Sequence, residues 1–194
     1  MSRLILASAS PRRHDLLVNR LGLTVDVQVP DVDETPQRAE APVALVQRLA
    51  KRKAEAVTAD ADDVVIAADT LVIVDGDILG KPATPDEATS MLRRLNGTTH
   101  SVLTAVCVRH DERYATGVER SHIRIRRMSN EEIDWYVNTG EPMDKAGGYA
   151  VQGIGGIFVE HVDGSETAVI GLPLAQTHQL VSSLGADLMA FRTA

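Results

Sequence analysis

The sequence predicts an α/β protein whose mixed β-sheet is flanked by helices. Short β-rich apolar runs alternate with helical stretches along the chain, which is the order typical of α/β folds. Two long strand-like stretches, residues 100–109 and 117–127, follow each other directly and favour a mixed sheet over a purely parallel one. A chain of 194 residues can build a sizeable core, and we expect one domain over residues 1–194.

The boundaries of the first helix are marked in the sequence. An apolar strand at residues 4–7 precedes Ser10, which suits the N-cap, and Pro11, which suits the first helical position. Gly22 marks the end of this helix after residue 21. The pattern that follows predicts, in order, a strand at 24–29, an acidic loop at 30–40, a helix at 42–59, and a strand at 64–68 that continues at 71–74 into the turn Asp75-Gly76-Asp77.

Turn and cap residues also divide the second half of the chain. The pattern predicts a helix at 85–95 closed by Asn96-Gly97, two long strands joined around Asp111 and Glu112, a helix at 130–139, a glycine-rich stretch with strand formers at 148–162, and a final helix at 173–184. We find no repeat, low-complexity tract or linker in this sequence, in agreement with a single domain.

The composition argues against several classes of protein. The net charge of −7 argues against a nucleic-acid scaffold, because binding to the phosphate backbone needs a basic surface. The single cysteine, Cys107, excludes an internal disulfide and a zinc site built from cysteines, and its apolar neighbours predict a buried structural thiol. The sequence contains neither an apolar run of membrane-spanning length nor the pattern of a signal peptide, so we expect a cytoplasmic protein.

Two arginines at the start of the first predicted helix point to an anion. Arg12 and Arg13 follow Pro11 in a turn where the helix macrodipole disfavours cations. The backbone N–H groups of such a turn attract anions, and guanidinium groups bind phosphate through paired hydrogen bonds. We therefore expect a phosphate-bearing ligand here, with two solvated arginines on a surface turn as the alternative.

Lys53 and Asp69 occupy unusual positions for charged residues. On a helical projection of residues 42–59, Lys53 falls in the middle of the apolar stripe, so it either points into a polar cleft or extends to the edge of the stripe. Asp69 follows the apolar strand at 64–68, at the carboxyl end of a strand, where α/β sheets bind ligands. Three roles are open to Asp69: it binds a divalent cation, acts as a general base toward water, or caps a turn.

Further polar groups lie at the ends of predicted elements. Asp33 and Glu34 lie in an acidic loop that suits a hard cation or solvent. Lys81 is held in a stiff turn, and the glycine-rich segment 144–153 carries Gln152, whose amide both donates and accepts as recognition of a base edge requires. Metal-assisted cleavage of a phosphoanhydride needs opposed cations and carboxylates. The sequence supplies them as Arg12, Arg13, Lys53 and Lys81 on one side and Asp33, Glu34, Asp69 and Asp144 on the other.

These residues lie in blocks that resemble the Maf family of nucleotide pyrophosphatases over nearly the whole chain. The blocks are SASPRR at 8–13, DVDE at 31–34, LAKRKAEA at 49–56, AADTLV at 67–72, LGKP at 79–82, NGTTHSVLTAV at 96–106, DKAGGYAVQGIGG at 144–156 and GLPL at 171–174. The resemblance implies an elongated mixed sheet flanked by helices, two lobes around a central cleft, and a homodimer.

The resemblance also implies an activity, the hydrolysis of a nucleoside triphosphate to the monophosphate and pyrophosphate with Mg²⁺ or Mn²⁺. The residues at Arg12, Thr70 and Gln152 resemble the branch that acts on dTTP, UTP and modified pyrimidine nucleotides. The roles implied are catalytic for Asp69, Lys53 and Lys81, substrate-binding for Ser8, Arg12, Arg13, Thr70 and Gln152, and metal-binding for Asp33, Glu34 and Asp69, with Asp69 as the general base. Two alternatives stay open, a pyrophosphatase directed at purines such as ITP or 7-methyl-GTP, and a nucleotide-sensing regulator of cell division that binds without cleaving.

Overall fold

The computed structural model describes residues 2–193, which form a β-sheet with helices around it. The strands and α-helices are, in chain order, β1 (Leu4–Ala7), α1 (Pro11–Asp15), β2 (Asp26–Gln28), α2 (Pro42–Glu55), β3 (Val64–Val74), β4 (Asp77–Leu79), α3 (Pro85–Leu95), β5 (Thr99–His110), β6 (Arg113–Ile125), α4 (Asn130–Asn138), β7 (Val159–Asp163), α5 (Glu166–Ile170) and α6 (Leu174–Ser183). A π-helical turn at Leu16–Arg20 continues α1, and 3₁₀ turns lie at Glu141–Asp144, Ala146–Gly148, Ile154–Phe158 and Leu188–Phe191.

The strands of the described chain form one mixed sheet. Their order is β2-β1-β3-β5-β6-β7, with β4 paired to β3. β1 runs parallel to both β2 and β3, and Ile5 lies opposite Asp26 on one side and Val65 on the other. β3 pairs antiparallel with β4, and β6 pairs antiparallel with β7. Parallel and antiparallel pairs in one sheet confirm the predicted mixed α/β architecture.

The described chain divides into two compact units, of which the first comprises residues 2–69, 104–119 and 171–193. Its core holds β1 and the first part of β3, whose side chains are buried without interruption. Strands that are covered on both faces need such continuous apolar runs. α2 buries Leu45, Val46 and Leu49 on one face, in agreement with its amphipathic pattern.

The second unit comprises residues 70–103 and 120–170. Its apolar core includes Val72, Leu92, Ile123, Tyr136 and Phe158. The rings of Tyr136 and Phe158 meet edge to face with their centroids 5.3 Å apart, an arrangement that aromatic pairs prefer. α4 begins with a capping box, in which side chains and backbone bond reciprocally and satisfy two amide groups at the start of the helix.

Several local predictions are confirmed. The helix predicted at 85–95 is α3, residue for residue. Asp75 and Gly76 both have positive φ, 52° and 86°, as the two-residue turn of the β3–β4 hairpin requires. Cys107 is buried, and burial raises the pKa of its thiol to about 12. Among residues 2–193, every helix is too short or too polar to cross a bilayer.

The structure differs from the sequence prediction at the end of α2 and in the capping of α1. α2 ends at Glu55 rather than at residue 59, since the Gln28 side chain accepts from the Thr58 N–H at 3.0 Å and donates to its carbonyl at 2.9 Å. Ser10 occupies the N-cap of α1 as predicted, yet among the described contacts its side chain makes no cap hydrogen bond. The backbone N–H of Ser10 donates a hydrogen bond to Ser8 Oγ at 3.1 Å.

Candidate active site

Asp69 lies in the middle of β3, which corrects the prediction that it emerges at the end of a strand. β3 runs from Val64 to Val74, so the polar pair Asp69-Thr70 does not break it. β1 pairs with β3 as far as Ala67 and β4 pairs with it from Val72 onward, so this polar pair lies in the stretch of β3 between these two partners. The Asp69 side chain is only 9% exposed, and a buried carboxylate needs a partner.

Lys53 is that partner. Its side chain projects from the buried face of α2, and Nζ lies 2.6 Å from Asp69 Oδ1 and 2.6 Å from Glu34 Oε1. With 9% of its side chain exposed, Lys53 points inward rather than to the solvent. One ammonium group therefore holds together two carboxylates that come from the acidic loop and from β3.

Burial raises the pKa of Asp69 above its ordinary value. Desolvation is the largest cause, because a low-dielectric surrounding disfavours the charged form, and the nearby charge of Glu34 acts in the same direction. The charges of Lys53 and Arg13 and the hydrogen bond from Lys53 oppose the rise. A carboxylate whose pKa lies closer to neutrality accepts a proton more readily, as a general base must.

Arg13 is a second buried cation in the first unit. Its Nε donates to the Gly171 carbonyl at 2.8 Å, and its Nη1 donates to Ser8 Oγ at 3.1 Å. Burial lowers the pKa of Arg13, the charge of Arg12 lowers it further, and the charge of Asp69 acts to raise it. These hydrogen bonds hold the guanidinium group next to Ser8, the residue that follows the last residue of β1. We refer to Arg13, Glu34, Lys53 and Asp69 as the charged cluster.

The predicted metal ligands have different surroundings. Glu34 and Asp69 contact the same ammonium group, whereas Asp33 is exposed and accepts a hydrogen bond from the Thr35 N–H at 2.9 Å. The hydroxyl and N–H of Thr35 hold the pKa of Asp33 below its ordinary value. Residues 2–193 contain no group of three or more His, Cys, Asp or Glu side chains arranged to hold a metal. Glu34 and Asp69 do fit Mg²⁺, which proteins bind through one or two carboxylates together with substrate phosphates.

Arg48 is a further residue that sequence reasoning did not select. Its Nε and Nη2 donate to the two carboxylate oxygens of Glu40 at 2.6 and 2.7 Å, and Nη2 also donates to the Thr35 carbonyl at 3.1 Å. The hydrogen bond from Arg48 lowers the pKa of Glu40 to about 2. Arg48 thus ties both ends of the segment 35–40 to α2, directly after Glu34. On a helical projection it lies opposite the apolar stripe, so no pattern in the sequence singles it out.

Thr70, Lys81 and Gln152 belong to the second unit. Lys81 is exposed directly after Gly80, whose carbonyl accepts a hydrogen bond from the Gly147 N–H at 3.0 Å. This bond joins the glycine-rich segment to the turn that carries Lys81. Gln152 is also exposed, in a turn closed by the bond from the Gly153 N–H to the carbonyl of residue 150 at 3.4 Å.

Asp144, which the sequence suggested as one of the opposed carboxylates, has a neighbour of its own. Lys145 Nζ donates to Asp144 Oδ1 at 2.6 Å and to the Glu141 carbonyl at 2.7 Å. The ammonium group of Lys145 therefore lies between the side chain of Asp144 and the backbone of the preceding turn.

Comparison with known proteins identifies the family. Residues 3–184 match the family model described as "Maf-like protein". The chain belongs to this family. A relative from Anaeromyxobacter dehalogenans named dTTP/UTP pyrophosphatase is 50% identical to it over 191 residues, which cover 96% of both chains. A relative of the same name from Symbiobacterium thermophilum is 46% identical over 186 residues, which cover 95% of both chains. A relative of the same name from Shewanella oneidensis is 44% identical over 190 residues, which cover 94% of this chain and 98% of the relative.

A solved structure agrees with the fold of this Maf-like chain. The structure of a HAM1 protein from Coxiella burnetii matches it with a TM-score of 0.50 at 16% identity, covering 95% of this chain and 99% of that chain. At this level of identity the likeness concerns the fold alone. It supports the mixed sheet flanked by helices, while the family match confirms the resemblance that the sequence blocks indicated.

Proposed function

We propose that this protein is a nucleoside triphosphate pyrophosphatase that hydrolyses dTTP and UTP to the monophosphate and pyrophosphate. The observation that carries the proposal is Asp69, a buried carboxylate with a raised pKa that lies 2.6 Å from the buried ammonium group of Lys53. Relatives that are 44–50% identical over at least 94% of this chain are named dTTP/UTP pyrophosphatase, which supports the same activity.

In the proposed reaction, Asp69 acts on water and the cations of the charged cluster act on the phosphates. Asp69 takes a proton from water, and the water oxygen attacks the α-phosphorus of the substrate. The bond from the α-phosphorus to the oxygen that bridges it to the β-phosphorus breaks, and pyrophosphate leaves with that oxygen. Arg13 and Lys53 neutralise the negative charge that builds up on the phosphates, and because they are held by other contacts they need little rearrangement to do so. From sequence, we add Ser8, Arg12 and Lys81 as groups that bind the polyphosphate.

A divalent cation, Mg²⁺ or Mn²⁺, is part of the proposal. Glu34 and Asp69 are the residues that would hold it, and the acidic sequence adds Asp33. When bound, such an ion neutralises phosphate oxygens and lowers the pKa of a bound water. The contact of both carboxylates with Lys53 supports this role, because it keeps two hard oxygen ligands next to each other.

The choice of base is proposed to depend on Thr70 and Gln152. A glutamine amide donates one hydrogen bond and accepts another, which matches the donor and acceptor on the edge of a uracil or thymine ring. Modified pyrimidine nucleotides with the same edge belong to the same substrate class. We further propose that the protein acts in the cytoplasm as a homodimer.

An Asp69→Asn variant tests the reaction. Asparagine keeps the shape of the side chain but cannot take a proton from water, so we expect pyrophosphate release from dTTP and UTP to fall by about a hundredfold or more. Release is measured across pyrimidine and purine triphosphates, with and without a chelator.

Asp63→Asn is the matched control. Asp63 is also a buried carboxylate of the first unit, paired with Arg3, so its loss affects stability without touching the charged cluster. Near-normal turnover of Asp69→Asn would show that Asp69 is not the base. Faster release from a purine triphosphate than from dTTP or UTP in the unaltered protein would contradict the proposed substrate.

A further inference from the structure

We infer that Glu141 is a positioning residue for base recognition, because its carboxylate holds the backbone of Ile154 and Gly155, two and three residues after Gln152. This inference rests on the proposed function and concerns the selectivity for pyrimidine nucleotides. Glu141 lies in the 3₁₀ turn after α4, outside the residues assigned to catalysis and substrate binding. Its side chain reaches across to the turn 150–155, and both belong to the second unit.

Three donors converge on the Glu141 carboxylate. The Ile154 N–H donates to Oε2 at 2.9 Å, and the Gly155 N–H donates to Oε1 at 2.9 Å. The hydroxyl of Tyr136 donates to Oε1 at 2.8 Å. Although burial acts to raise the pKa of Glu141, these hydrogen bonds hold it below its ordinary value. The carboxylate is therefore ionised at neutral pH, and its bonds have the strength of charge-assisted hydrogen bonds.

The glycines in this turn show how closely the backbone packs around the carboxylate. A Cβ on Gly153 would lie 2.4 Å from Glu141 Oε2, and a Cβ on Gly155 would lie 2.5 Å from the Tyr136 hydroxyl oxygen. Side chains at these positions would push the turn away from its partners. The contact between Glu141 and the turn is thus a close fit of backbone against side chain, made by direct hydrogen bonds.

Gln152 is exposed and lies two residues before Ile154, where this restrained backbone begins. A second bond, from the Gly153 N–H to the carbonyl of Ala150 at 3.4 Å, closes the turn on the other side of Gln152. The glutamine side chain is flexible, but the backbone sets the direction of its Cα–Cβ bond. The conformation of the turn therefore determines in which direction the side chain leaves the backbone. A binding group that is held in place loses less freedom when it binds, which favours affinity and selectivity.

The decisive experiment is a double-mutant cycle on selectivity. Glu141→Gln removes the negative charge and replaces one carboxylate oxygen with an NH₂ group, which cannot accept from the N–H group that faces it. We expect the ratio of kcat/KM for dTTP over that for ATP to fall about tenfold, chiefly through a higher KM for dTTP, which is the size of the net contribution of one hydrogen bond. In a Gln152→Ala background the same change should have little further effect, because residues that act through one another are not additive.

Glu132→Gln is the matched control. It makes the same change in another carboxylate of the second unit, whose partners, the Ser129 N–H at 2.9 Å and Arg126, lie outside the turn 150–155, so it should lower stability without changing the preference for dTTP. Ile154→Pro is a second, milder variant, since proline is accepted at the start of a helical turn and removes only one of the two donors. We expect it to shift the ratio in the same direction as Glu141→Gln.

Hydrogen exchange in the protein without nucleotide gives a readout that does not depend on activity. The amides of residues 154 and 155 should exchange faster in Glu141→Gln and stay protected in Glu132→Gln. Unchanged exchange, or a Glu141→Gln effect on the dTTP/ATP ratio that persists in full without Gln152, would overturn the inference. If the unaltered protein released no pyrophosphate from dTTP or UTP, the proposed function would fail, and the recognition role of Glu141 would fail with it.

Discussion

Replacing Lys53 with methionine removes the ammonium group that lies between Asp69 and Glu34 but keeps a side chain of similar length. Lys53 and Asp69 are each 9% exposed and 2.6 Å apart, so the pair belongs to the buried class. Breaking a buried pair by removal of one partner costs about 3–5 kcal/mol of unfolding free energy, because it leaves an unpaired charge. For a chain of this size, each kcal/mol corresponds to about 2–4 °C, so the melting temperature should fall by roughly 6–20 °C.

The loss should depend on pH, because Asp69 can take up a proton instead of staying charged. Burial already raises the pKa of Asp69, and removal of the Lys53 charge raises it further. At pH values between the pKa of Asp69 in the unaltered protein and its higher pKa in the variant, Asp69 is protonated only in the folded variant. The deficit in unfolding free energy therefore grows as the pH rises through this interval and is smallest below it.

Denaturant unfolding of Lys53→Met and the unaltered protein at several pH values measures this deficit. Lys51→Met is the control, since Lys51 lies on the same helix but is 52% exposed and pairs with Glu55 at 3.6 Å. An exposed pair of this kind contributes no more than about 1 kcal/mol. Equal losses for the two variants, or a Lys53→Met deficit that does not change with pH, would refute the reasoning about the charged cluster.

Two further predictions concern Arg48 and Cys107. Arg48→Gln should release the segment 35–40 and increase the rate of tryptic cleavage after the exposed Arg38 severalfold. Lys51→Gln, the control, should leave this rate unchanged. Equal rates in the two variants would show that Arg48 does not restrain the segment. Cys107 is buried with the pKa of its thiol raised to about 12, so a thiol reagent should modify it about a hundredfold more slowly in the folded than in the unfolded protein. Rapid modification of the folded protein would contradict the buried environment.

The elements of this fold are largely readable from local patterns. β1 and α3 have their predicted bounds because hydrophobic periodicity and capping residues act within a few positions of the chain. The end of α2 was not predictable in this way. It depends on hydrogen bonds between Thr58 and the Gln28 side chain, which lies thirty residues earlier in the chain.

In the candidate site, too, the sequence predicted part of the arrangement and the folded structure decided the rest. The apolar stripe of α2 predicted that Lys53 either faces inward or extends to the edge, and the structure decides for the inward position. The break predicted after residue 68 was wrong, because β3 pairs with β1 before Asp69 and with β4 after it and runs on through both parts as one strand.

Contacts between a charged side chain and the backbone of another segment have no signature at a fixed spacing in the sequence. Arg48 meets the Thr35 carbonyl, and Glu141 meets the amides of Ile154 and Gly155, only once the segments are folded against each other. Neither residue could therefore be selected from the sequence.

Residue types and their order were sufficient for the fold class, the family and the charged groups suited to a polyphosphate, since each depends on patterns along the chain. Which of those groups touch, and that burial raises the pKa of Asp69, came from the folded protein alone. The physical reason is that distance and desolvation belong to the three-dimensional arrangement. Lys53 and Asp69 lie 16 positions apart in the chain, and only the packing of α2 and β3 reduces that separation to a 2.6 Å contact.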